Sequence, residues 1–150
     1  MYNPPIVAKK SIMILLKIFF LLTTASATGQ VDLKRPFVTL LPGYQYHAAQ
    51  GIDSRTGVIW KERGVRLSFD IGDMAGVYTD CDWCGWTKGE TWRKEQTIGD
   101  QKVIYVFTKS KRLVVSFPEV HANFYATIRT ESDMADVLLM LSTFRLTATP

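Results

Sequence analysis

Val65, Leu67, Phe69 and Ile71 alternate with Arg66, Ser68 and Asp70, the period-two pattern of a strand with one buried and one wet face. Most of the chain after Pro36 carries comparable short-range patterns. Phe37-Val38-Thr39-Leu40-Leu41 predicts a strand, Pro42-Gly43 a turn and Tyr44-Gln45-Tyr46 the return strand. Residues 51–56 read as a polar connection, Gly57-Val58-Ile59-Trp60 as a short strand and Lys61-Glu62-Arg63-Gly64 as a charged turn. Residues 91–98 and 102–108 predict a hairpin reversed at Gly99-Asp100. A turn over 109–112 then leads into the strand Leu113-Val114-Val115-Ser116-Phe117, which Pro118 ends, and 124–128 is a further extended segment.

One stretch switches period. Thr130 can cap a helix, Glu131 and Asp133 place negative charge at its N-terminal end, and Met134, Val137, Leu138 and Leu141 fall at i, i+3, i+4 and i+7. Phe144-Arg145-Leu146 reads as a closing strand. Antiparallel strands with one late helix predict an α+β fold, a single-domain sandwich of a mainly antiparallel sheet with a C-terminal amphipathic helix packed on one face. The opening Phe37-Val38-Thr39-Leu40-Leu41-Pro42-Gly43-Tyr44 and the helix-then-strand over 130–146 resemble the two ends of the PsbP-like α/β sandwiches, a family that includes secreted bacterial proteins of the DcrB type. That resemblance implies a fold, with scaffold, binding and lipoprotein roles among its members and no shared catalytic motif.

The N-terminus bears on location. Lys9 and Lys10 precede an apolar run over 12–22 interrupted by Lys17, and Ala25-Ser26-Ala27 offers small residues for cleavage. Residues 1–27 are therefore read as a secretory signal peptide and 28–150 as a single domain, periplasmic or secreted. An uncleaved anchor is the competing reading, but the polar interruptions leave less than the roughly 18 apolar residues that a span requires. The net charge of +4 falls to +1 once Lys9, Lys10 and Lys17 leave with the signal. A nucleic-acid partner thus has no electrostatic basis, and Lys109, Lys111 and Arg112 read as a solvated turn.

Candidate chemistry concentrates in residues 72–89, where glycines, aspartates, tryptophans and both cysteines displace the strand pattern. Cys81 and Cys84 could form a disulfide, half of a zinc site completed by His47 and His121, or a redox pair. The extracellular context favours the disulfide. Gly85, Thr87 and Gly89 argue against the helix that a thioredoxin-type thiolate needs, and Thr87 stands where the second cysteine of that signature belongs. Asp70, Asp73, Asp80 and Asp82 do not match a calcium-loop spacing and read as solvated loop acids. Trp83, Trp86 and Trp92, with Tyr78, offer either a recognition platform on a glycine-rich loop or plugs over one end of the fold. No nucleophile elbow or oriented histidine is present, and no cofactor or metal is expected. The favoured expectation is a non-enzymatic binding or accessory domain that presents residues 72–92 to an envelope protein, a peptide or a small ligand. The alternative is a thiol- or metal-dependent envelope enzyme using Cys81 and Cys84.

Overall fold

The computed structural model describes residues 37–146. The expected signal segment over 1–27 lies outside the described residues. Seven strands are formed: β1 (Gln45–Gln50), β2 (Arg55–Trp60), β3 (Arg66–Ile71), β4 (Glu90–Ile98), β5 (Gln101–Thr108), β6 (Arg112–Phe117) and β7 (Ala122–Thr127). All join one antiparallel sheet in the order β1-β2-β3-β7-β6-β5-β4. A helix, α1 (Glu131–Ser142), completes an α+β fold dominated by sheet. Among the described residues no helix is long and apolar enough to cross a membrane.

The sheet consists of two meanders joined where β3 pairs with β7, so β4 begins at the opposite edge from β1. Leaving β3, the chain must traverse four strand spacings, about 19 Å, before β4 can start. Residues 72–89 make that crossing, with short 3-10 turns at Asp73–Ala75 and Tyr78–Asp80. This route explains the runs Val103-Ile104-Tyr105-Val106 and Leu113-Val114-Val115-Ser116-Phe117, which are buried on both faces. One face looks toward the helix-side core and the other toward the crossing segment.

On the helix side, Phe37, Phe69, Phe117, Phe124 and Phe144 form an aromatic core, with Phe117 and Phe144 centroids 4.3 Å apart and Phe37 and Phe69 5.2 Å apart. Gly57 lies in β2 because a Cβ there would collide with the Phe69 ring and the His47 carbonyl. Thr130 caps α1 by accepting from the Asp133 amide at 3.1 Å.

Three local expectations need correction. Residues 37–41 are not a strand: Phe37 and Val38 enter the core, and backbone bonding is supplied by the end of α1, with the Arg145 amide donating to the Phe37 carbonyl and the Thr39 amide to Thr143 Oγ1. Residues 144–146 are likewise not a strand, since Phe144 is wholly buried among Phe37, Phe117 and Phe124 and the Arg145 amide bonds to the Phe37 carbonyl instead of to a sheet strand. The buried stripe of α1 is Val137, Met140 and Leu141, whereas Leu138 is 37% exposed. The helix turns its Leu138 flank toward β4 and β5, where an open groove separates it from the sheet.

Candidate functional site

The face of the sheet opposite α1 carries the arrangement that chemistry can use. Asp70, Asn123 and Ser116 lie side by side on β3, β7 and β6. Asn123 is fully buried, and its Oδ1 accepts from the Tyr78 amide (2.9 Å) and the Ser116 hydroxyl (2.7 Å) while its Nδ2 donates to the Gly76 carbonyl (3.1 Å). Ser116 Oγ accepts from the Thr79 amide at 3.2 Å, and Asp70 accepts from the Tyr78 hydroxyl at 2.6 Å. This polar row fastens the crossing segment to the sheet through otherwise orphaned backbone donors. Burial and the Asp70 carboxylate push the Tyr78 phenol well above its usual range, so it remains a donor.

Two residues further along the strands, Ser68 pairs with Tyr125 and Tyr125 with Val114. Trp86 covers this row, its ring 4.6 Å from that of Tyr125 and stacked 4.7 Å from Tyr78 at an interplanar angle of 7°. Gly85 makes that return possible: its left-handed backbone (φ +70°) suits glycine, and it separates Trp86, packed on the sheet, from Trp83, which is 91% exposed. Cys81 and Cys84 are joined in a disulfide across the same turn, with Cα atoms 5.4 Å apart.

Two more residues along, Thr127 pairs with Arg112, and continuing the β3–β7 register places Arg66 on the other side of Thr127. Arg112 carries its guanidinium 5.4 Å from the Trp86 centroid. Arg66, Arg112, Thr127, Trp86, Tyr125 and Ser68 line an open groove of about 490 Å³. A second hollow of about 370 Å³ shares Arg66, Ser68 and Tyr125 and extends toward Asp70 and Val58. Arg129 stands at the rim, engaged by Asp133 (3.2 Å) and the Gly64 carbonyl (2.7 Å).

The tryptophans and tyrosine singled out from the sequence thus fall in three settings. Tyr78 and Trp86 stack together on the far face, Trp83 projects from the loop, and Trp92 lies on the helix side of the sheet. There Trp92 stacks on Phe107 at 6.0 Å and borders the groove lined by Leu138, Leu139, Tyr105 and Ile98. His47 stacks on Trp60, and His121 faces Asp73 at 3.7 Å. Asp80 pairs with Arg93 at 2.5 Å. Among the described residues no three His, Cys, Asp or Glu side chains converge, so the Cys81, Cys84, His47 and His121 set is not brought together.

Sequence reasoning missed Arg66 and Arg112. Arg66 lies on the wet side of its strand as expected, whereas Arg112, expected in a solvated turn, opens β6 and is half-buried; both border the groove. The signal was present in the pairing: two arginines on the outward faces of strands that both flank β7. Comparison of the chain with family models, curated proteins and solved structures finds no match.

Proposed function

We propose that the protein is a secreted or periplasmic binding or accessory domain that engages an envelope protein, a peptide or a small ligand through its 72–92 segment, without catalysing a reaction. The observation that carries this reading is the division of labour around Gly85: Trp86 forms the wall of an open groove on the sheet, and Trp83 is presented outward from the same disulfide-closed turn. A rigid sheet supporting a loop with large aromatic side chains suits recognition, because such side chains bring contact area at low entropic cost. A signal peptide over 1–27 would deliver the chain to a compartment where the Cys81–Cys84 bond persists. A PsbP-like sandwich, with α1 as the second layer on the sheet, is the fold-level part of the same proposal.

Photo-crosslinking tests it. A benzophenone amino acid at Ser68 or Trp83, with one at the 57% exposed Leu139 on the opposite, helix-side face as control, is introduced into the full chain in its own cells. Discrete adducts from Ser68 or Trp83 and none from Leu139 are expected. Adducts from Leu139 alone would refute the assignment of the binding surface.

A further inference from the structure

Resting on that reading of the groove, we infer that it takes an anionic ligand: a carboxylate or phosphate group held between Arg66 and Arg112, its flat or apolar body lying against Trp86 and Tyr125. Thr127 pairs with Arg112, and the β3–β7 register extended two residues past Ser68–Tyr125 sets Arg66 on its other side, so the two arginine Cα atoms stand two strand spacings apart, about 10 Å. Two long side chains rising from such positions can meet on one anion, with the Thr127 hydroxyl between them as a further donor.

The charge balance points the same way. Of the three arginines that line the groove, Arg129 is matched by Asp133. Among the described residues, neither Arg66 nor Arg112 has a carboxylate partner. A guanidinium presents a planar fork of donors that matches a carboxylate or phosphate edge. The Arg112 fork is positioned over the Trp86 ring.

The groove also has a direction. Asp70 lies four residues along β3 from Arg66, about 13 Å, and lines the hollow at that end. Its carboxylate repels an anion there, so the acidic group of the ligand belongs at the arginine end and its body points along Tyr125 toward Ser68. The groove volume of about 490 Å³ suits a small molecule or the tip of a larger one. The shared chemistry is therefore an acidic oxygen group next to a flat surface.

Titration calorimetry of the full chain with phenyl phosphate, benzoate, inorganic phosphate, benzyl alcohol and benzamidine tests this. Phenyl phosphate, benzoate or both should bind about tenfold or more tightly than inorganic phosphate and than the neutral and cationic rings, and weaken as salt is raised. The stronger of the two identifies the group as phosphate or carboxylate. Arg66→Gln with Arg112→Gln should weaken that binding about tenfold or more while circular dichroism stays unchanged, and Lys94→Gln on the opposite face should not. Equal binding of benzyl alcohol, lost in Trp86→Phe, would overturn the anionic inference and leave the groove as a binding site. Binding of the acidic probes that survives the double arginine change would overturn the assignment to these residues. No binding of any probe would overturn the inference, and the crosslinking at Ser68 and Trp83 would then decide the groove itself.

Discussion

Truncating Trp86 to alanine separates the wall of the groove from an ornament on its loop. Trp86 contacts Tyr125 at 4.6 Å and Tyr78 at 4.7 Å, and sits under the Arg112 guanidinium. A fully buried tryptophan removes about 150–250 Å² from water. For a half-buried ring, about 100 Å² at roughly 25 cal/mol per Å² gives about 2.5 kcal/mol, an upper figure because denatured chains already bury some of it. The two ring contacts add about 0.5–1.5 kcal/mol each. Trp86→Ala should therefore destabilise the fold by roughly 3–5 kcal/mol, whereas Trp83→Ala, at an exposed tip, should stay within about 0.5 kcal/mol of the parent. Urea unfolding followed by far-ultraviolet circular dichroism measures both. Equal losses for the two changes, or no loss for Trp86→Ala, would show that the crossing segment is not anchored through this ring.

Three further outcomes are expected. Leu141→Ala should cost about 2–5 kcal/mol in urea unfolding, against about 1 kcal/mol or less for the partly exposed Leu138→Ala; the reverse order would mean that α1 is rotated on the sheet. Asp136 accepts from Lys61 and from the Tyr44 hydroxyl, each at 2.8 Å, and the Lys61 bond foremost holds its carboxyl below the usual range. With the folded pKa depressed, its contribution is present above the unfolded value of about 4 and lost as pH falls through the folded one. Asp136→Asn should accordingly be less stable than the parent at neutral pH, with the gap closing in acid; a gap that persists below the folded pKa would contradict the pairing. Native protein should show no alkylatable thiol by mass and two after reduction, and reduction should cost about 2 kcal/mol or less because the bridged loop is short.

Much of the sheet was legible because its strands carry strong local patterns. The alternation over 65–71, the Gly99-Asp100 reversal and the Thr130 cap each encode their structure within a few residues. The terminal segments misled for the opposite reason: Phe37-Val38 and Phe144 are apolar like strand residues, but burial in the aromatic core, not pairing, is what uses that character. Leu138 fits a helical stripe as well as Met140 does, and only the off-centre seat of α1 distinguishes them. The groove was least legible, since it depends on β3 pairing with β7. That long-range register sets Arg66 and Arg112 astride Thr127 and carries residues 72–89 across the sheet, and the continuous apolar runs in β5 and β6 were its sole local trace.

Backbone amide and indole N–H shifts recorded by NMR during addition of phenyl phosphate report where an anion sits on the molecule. Saturable shifts are expected at Arg66, Thr127, Arg112 and the Trp86 indole, with little change at Trp92, Tyr105 and Leu139 on the other face. Shifts confined to Trp92, Tyr105 and Leu139 would place binding in the helix-side groove and contradict the site between Arg66 and Arg112.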